Sequence, residues 1–228
     1  MSFKVIRVAA NGIVAAYTLL IIISRLASFP TVGIYWLWGI PALLTAILDI
    51  YFLTRSMLHE PACADTSVSS LLISVSASLG FCLSAIVISY PILQFSGQII
   101  VRDVGKIISI IPYPFIIWSL LCLKDCLTII PEAHSVVSCG IYKYSRHPLY
   151  MCYVIWAIAN MMMFPSGPVL AVSLGHIVLM VIRFKREEAL LLATFPEYLD
   201  YYNNTGLIGK WRFSFLVGGQ PPNFVLKI

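Results

Sequence analysis

Arg146, His147, Tyr150, Arg183, Glu187 and Glu188 are the side chains best suited to hold a polar reactant, and they stand at the edges of apolar runs. The first three belong to Gly140-Ile141-Tyr142-Lys143-Tyr144-Ser145-Arg146-His147-Pro148-Leu149-Tyr150, the densest polar, aromatic and cationic block in the chain, with His134 just ahead of it. Pro148 has no amide hydrogen and biases His147 away from helical backbone. It suits the opening of a helix, so Arg146 and His147 fall in the turn before a helix N-terminus, where free amides and the dipole attract anions. Arg183 and Glu187 are four apart, share a helix face and can pair. Glu188 points about 100° away and can make a second contact. The simpler reading is charge flanking membrane helices, with Lys185 and Arg186 snorkelling. A site results only if the helices bring the cationic and the acidic groups to one membrane face.

Composition supplies those helices. Of 228 residues, 60% are hydrophobic and 11% charged, against about 25% charged in a water-soluble domain. The chain reads as an all-α, polytopic membrane protein, with no polar segment long enough for a separate soluble domain. Six apolar runs are expected, at 5–26, 33–53, 70–93, 107–123, 149–164 and 169–182. The first is too long for a signal-peptide core. Pro41 is a kink candidate in the second, and the Ser-rich start of the third suits close helix packing in lipid. Residues 54–69 read as a loop, and Arg102, Asp103 and Lys106 as a polar link.

The last two runs flank the turn Pro165-Ser166-Gly167-Pro168. Each spans roughly 21–24 Å, short of a ~30 Å hydrocarbon core. They are expected to form a helical hairpin whose second arm continues past Arg183, with Leu190, Leu191 and Leu192 facing the bilayer or partner helices. That hairpin carries Arg146 and His147 to the same membrane face as Arg183 and Glu187. Twelve of the fifteen Lys and Arg fall on the side that holds both termini and the motif, which predicts a cytoplasmic site. The Asn203-Asn204-Thr205 acceptor pattern would then go unused. The six Cys show no Cys-x-x-Cys spacing and read as small buried hydrophobes, so no metal is expected. Residues 1–106 are expected to form an N-terminal helical part, and residues 107–228 the part that carries the candidate site.

The motif block resembles the Gly-x-Tyr-x-x-x-Arg-His-Pro-x-Tyr signature of the isoprenylcysteine carboxyl methyltransferase family, which includes related phospholipid methyltransferases. The resemblance runs from about residue 131 to about 202, roughly a third of the chain. It takes in a His134, Val137, Gly140 lead-in, the downstream Arg183, Glu187 and Glu188, and a tail with Phe195, Tyr198 and Tyr201. It implies a membrane methyltransferase that uses S-adenosylmethionine and a lipophilic acceptor. His134, Gly140, Tyr142, His147, Pro148, Tyr150 and Glu188 match positions around the cofactor pocket. Arg183 and Glu187 match the positions tied to acceptor handling and catalysis, with Arg146 as a further candidate. Three features depart from the pattern. Cys152 stands where the family has Gly, Phe195-Pro196 shortens the tail, and residues 203–228 do not follow the family ending.

The residues suit that chemistry. Methyl transfer to an anionic acceptor is an in-line displacement in which positioning does most of the work. Carboxylates bind the cofactor's hydroxyl or amino groups, aromatics flank adenine or sulfonium, and an arginine makes a two-point contact with a carboxylate. Two other readings compete. A sterol-type membrane reductase shares a His-Pro-x-Tyr signature and would bind NADPH, but the Arg-x-x-x-Glu-Glu group favours methyl transfer. A small transporter or complex subunit calls for ionisable groups inside the membrane; the interior is poor in them, with Asp49, near a helix end, the only clear one, so this reading ranks last.

Overall fold

The computed structural model describes residues 3–28, 36–88, 99–207 and 226–227. Eight α-helices occur among them: α1 (Phe3–Ser28), α2 (Trp36–Ser56), α3 (Val68–Ile88), α4 (Ile99–Ile110), α5 (Pro112–Leu123), α6 (Pro148–Met163), α7 (Gly167–Thr194) and α8 (Tyr198–Asn204). Three two-residue strands, β1 (Cys63–Ala64), β2 (Glu132–Ala133) and β3 (Leu226–Lys227), form a small antiparallel sheet in the order β2-β1-β3.

Among the described residues, three helical stretches are long and apolar enough to cross a membrane: Gly39–Ser56, Ile99–Cys126 and Gly167–Thr194. Val68–Ser78 and Pro148–Met163 are apolar but shorter. Among the described residues, length and apolarity thus give three of the six expected spans, and residues 89–93 of the third expected run lie outside the described residues. The expected polar link is a further difference. Arg102, Asp103 and Lys106 lie inside α4, where Asp103 and Lys106 pair at 2.7 Å one turn apart. An i,i+3 pair neutralises both charges along the helix, so the helix passes through them. Pro112 sits in the first turn of α5, where its missing N–H costs no intrahelical bond.

Helix α7 shows how one sequence pattern separates lipid from protein. Leu170, Leu174, Val178 and Ile182 are exposed at a spacing of four. Val169, Ser173, His176, Met180, Phe184 and Glu188 form the buried stripe opposite. The stripe starts apolar and ends on a carboxylate, so the face that packs against the protein delivers Glu188 to the interior. The turn before α7 is as expected. Ser166 caps the helix, its Oγ accepting from the Val169 amide at 3.4 Å. The second arm continues unbroken past Arg183 to Thr194. Leu190, expected to face the bilayer or a neighbouring helix, is 2% exposed and packs on Cys63 and Ala133 of the small sheet. The β1–β2 strand pair covers Leu190.

Helices α2, α5 and α6 meet in a cluster of Phe52, Ile116, Leu120, Leu149 and Cys152. In lipid, such helix contacts depend on close fit rather than on release of water. Gly105 of α4 shows the tolerance: a Cβ there would meet Met162 Cβ at 2.8 Å and Met163 N at 3.0 Å. The link from α5 to α6 leaves helical geometry at Lys124, whose φ is 48°. The Arg55–Asp125 pair at 2.8 Å ties this end of α5 to α2. The chain then passes through β2 and a 3-10 turn, Gly140–Lys143, before Pro148.

Gly140 has φ +57°, and a Cβ on it would collide with Cys122 Sγ and lie 3.2 Å from Trp118 Nε1. Both the backbone and the space therefore require glycine. Gly140→Ala is expected to lose about 1–3 kcal/mol of stability. Thermal unfolding of the detergent-solubilised variant checks it, and a melt matching the parent would mean the turn relaxes freely.

Candidate active site

Two side-chain links cross from the motif to α7. His147 is the residue before α6, and Pro148 opens the helix behind it. Glu188 Oε1 accepts from Arg146 Nε at 2.6 Å and lies 3.1 Å from His147 Nε2. One helical position earlier, Glu187 Oε2 accepts the Tyr150 hydroxyl at 2.6 Å. The cationic turn thus meets an anion, as a helix N-terminus favours, and here the anion comes from the protein itself. Arg146, His147 and Glu188 are each less than 9% exposed.

Arg146 does more than pair with Glu188. Its Nη1 donates to the carbonyls of Tyr202, at 2.9 Å, and Thr205, and its guanidinium lies 4.1 Å from the Tyr202 ring centroid. Its own amide donates to Gly206 O at 3.1 Å. The segment after α8 is therefore folded back over the motif and pinned by one arginine. Tyr201 adds a second pin, donating to Tyr142 O at 2.6 Å. Burial pushes the Tyr201 phenol up, so it stays a neutral donor near pH 7. Burial, with Glu187 adding to it, likewise raises Tyr142, and Tyr198 is raised by burial with Glu188 and Glu187 contributing. Both carboxylates therefore act on the tyrosines that surround them.

The expected Arg183–Glu187 pair is not formed among the described contacts. Arg183 Nη2 donates to Thr128 O at 2.8 Å and Nη1 to Ser78 Oγ at 3.3 Å. Its guanidinium lies 5.5 Å from the centroid of the Tyr150 ring, within cation–π range. The physical reason is competition. The chain leaving α5 and helix α3 offer Arg183 fixed acceptors that hold its guanidinium, while Tyr150 engages one oxygen of Glu187. Arg183 and Glu187 are joined through Tyr150 instead, the one by its ring and the other by its hydroxyl. His147, Tyr150 and Phe184 pack as three rings, with centroid separations of 5.1 to 6.4 Å.

His134 is held differently from the other motif residues. Its Nε2 lies 2.9 Å from Glu132 Oε2 and 3.4 Å from Arg7 Nη2. Cys152, the departure from the resembled motif, is 4% exposed and packs beside Leu149. Sequence reasoning missed Arg7, Thr128, Glu132, Phe184, Tyr202 and Thr205. Thr128, Tyr202 and Thr205 act through backbone carbonyls or a ring face, which carry no sequence signal. Glu132 and His134 do carry one, a carboxylate two residues before a histidine.

The cross-link of Arg-His-Pro-x-Tyr to Glu-Glu has a counterpart in a family comparison. Residues 107–193 match the isoprenylcysteine carboxyl methyltransferase (ICMT) family. The match begins in α4 and ends one residue before the end of α7, so it takes in the motif, the hairpin and both glutamates. No curated protein matches the chain. The ICMT match supports a membrane methyltransferase, in keeping with the three helices able to cross a bilayer. Helices α1 to α3 lie outside the ICMT region yet contribute Arg7 and Ser78 to the network around it.

Proposed function

We propose that the protein is an integral-membrane methyltransferase that moves a methyl group from S-adenosylmethionine to the carboxylate of a prenylated cysteine or a similar isoprenoid lipid. The observation that carries this is the pair of links, Arg146/His147 to Glu188 and Tyr150 to Glu187, which join the two parts of the ICMT-like motif across some forty residues of chain. The residues present suit a sulfonium cofactor. Glu187 accepts one hydroxyl among the described contacts, and a carboxylate has about four acceptor sites. A cluster of three rings lies beside it, suited to a cation or an adenine.

When bound, the cofactor supplies an electrophilic methyl group. Glu187 and Glu188 would hold its donor groups, with His134, Tyr142, His147 and Tyr150 around it and with Gly140 and Pro148 setting the turn. Arg183 orients the acceptor carboxylate. Its terminal nitrogens are braced by Thr128 and Ser78, so the cation is held in place before any acceptor arrives. Preorganised charge of this kind lowers the barrier without reorganisation during reaction. The tail over the motif, pinned by Arg146 and Tyr201, shields the site from water. The excess of basic residues beside the motif favours a cytoplasmic site, where the cofactor is found.

Calorimetry of the purified protein with S-adenosylhomocysteine and, separately, NADPH tests the reading. S-adenosylhomocysteine is expected to bind and NADPH not. The reverse result would replace methyl transfer by reduction, and binding of neither would point to a non-enzymatic membrane protein.

A further inference from the structure

Arg7 is a buried cation on α1, a hundred residues ahead of the ICMT region, and no step above uses it. Its Nη2 donates to Ser56 O at 2.7 Å and its Nη1 to His59 O at 3.1 Å, so it holds the end of α2 and the turn that follows. Its Nε lies 2.9 Å from Glu132 Oε1, an ion pair held by charge and proximity and not by an aligned hydrogen bond. The same Nη2 lies 3.4 Å from His134 Nε2, which in turn contacts the other oxygen of Glu132 at 2.9 Å. The side chains of Arg7 and His134 are each 7% exposed and that of Glu132 is 1%. An isolated buried charge is costly, so a cation here is retained only where its partners are fixed.

What those partners touch gives the cluster its consequence. Glu132 and Ala133 form β2, which pairs with β1 in the register Cys63↔Ala133 and Ala64↔Glu132. Ala133 and Cys63 pack on Leu190 of α7, three residues past Glu187 and two past Glu188. His134 is the next residue. The guanidinium therefore fixes, from one point, the strand that rests on the carboxylate-bearing turn of α7 and the imidazole that leads into the motif. Arginine suits this role, since its planar fork reaches two carbonyls and a carboxylate at once, which an ammonium cannot do in one geometry.

We propose that Arg7 is a positioning residue of the site: through Glu132 it sets the place of His134 and of β2 against α7, so that the N-terminal helix is part of the cofactor-binding machinery. This rests on the reading of His134 as a cofactor contact. The consequence for the chain is that the ICMT region alone makes an incomplete site.

The test uses the full chain in detergent and two independent readouts. In Arg7→Met, maleimide labelling of Cys63, followed by peptide mass spectrometry, is expected to accelerate several-fold, because β1 loses the strand that buries it. This readout needs no cofactor and so separates failure of the positioning role from failure of the methyltransferase reading. Affinity for S-adenosylhomocysteine is expected to fall about tenfold, the scale of one charge-assisted contact. In a His134→Ala background the same Arg7 substitution is expected to cause little further loss, because the two act as one unit. Arg7→Lys, which keeps the charge and the fold, is expected to fall between parent and Arg7→Met in both readouts. Parent-like Cys63 labelling in both Arg7 variants would overturn the proposal. So would affinity losses that simply add between Arg7 and His134, since a residue that only supports the fold gives that result.

Discussion

Glu188→Ala is expected to bind S-adenosylhomocysteine at least tenfold to a hundredfold more weakly and to melt well below the parent. Glu188 is the common partner of Arg146 and His147, and both contacts fall on Oε1. Truncation leaves a buried guanidinium facing an empty position. Removing one partner of a buried pair costs about 3–5 kcal/mol. Arg146 also carries Tyr202 O and Thr205 O, so its displacement would loosen the segment that folds back over the motif. Glu188→Gln separates the two effects. It keeps the volume and a carbonyl acceptor for Arg146, so the melt should recover most of the loss. Affinity should stay low, because the charge offered to the cofactor is gone. Calorimetry and thermal unfolding on the same three proteins give the answer. Parent-like affinity in the glutamine variant would take Glu188 out of the cofactor pocket and leave it as a structural anchor.

Arg183→Lys is expected to lower methyl incorporation roughly a hundredfold, the scale of an ångström-level misplacement in a positioned reaction. The two terminal nitrogens of Arg183 reach Thr128 O and Ser78 Oγ while its face covers Tyr150. A lysine has one nitrogen and no plane, so it cannot span those acceptors, stack on the ring and orient a carboxylate together. The defect should appear as a raised KM for the acceptor and a lowered kcat, with S-adenosylhomocysteine affinity within a few-fold of the parent. The assay is transfer from labelled S-adenosylmethionine into a panel of lipophilic acids, amines and phenols. Full activity in Arg183→Lys would end the carboxylate-orienting role and favour an amine or phenol acceptor. Because Tyr150 joins Arg183 to Glu187, Tyr150→Phe combined with Arg183→Lys should lose less than the two single losses predict together.

The class of the protein and the meeting of the motif with the two glutamates were legible in the sequence, for reasons that particular residues make plain. Apolar runs with 11% charge leave a membrane protein as the outcome, whatever the packing. Pro148 marks the start of a helix because its ring and missing N–H permit little else. The hairpin followed from Pro165 to Pro168 between two apolar runs. With the hairpin came the approach of Arg146 and His147 to the glutamates, since antiparallel arms return the chain to one face. Gly140 was legible as a motif glycine, and its positive φ and the crowding from Cys122 and Trp118 supply the reason.

Partner choice within the site was decided by the tertiary structure. Helical spacing allowed Arg183 to pair with Glu187, and local geometry gives no rule for what else lies within reach. Thr128 O and Ser78 Oγ arrive from 55 and 105 residues away and take the guanidinium, while Tyr150 takes the carboxylate. Leu190 looked like a residue facing lipid or another helix, and a two-residue strand covers it instead. Arg102, Asp103 and Lys106 looked like a link between helices, and all three lie inside α4, where Asp103 and Lys106 form an i,i+3 pair. The role of Arg7 was the least visible of all. A basic residue near the start of a membrane helix reads as a topology signal, because charge near a helix end is satisfied equally well by water and headgroups. Only the fold shows that this guanidinium is withdrawn from both, with two carbonyls, a carboxylate and a histidine brought to it from two other stretches of chain, 56–59 and 132–134.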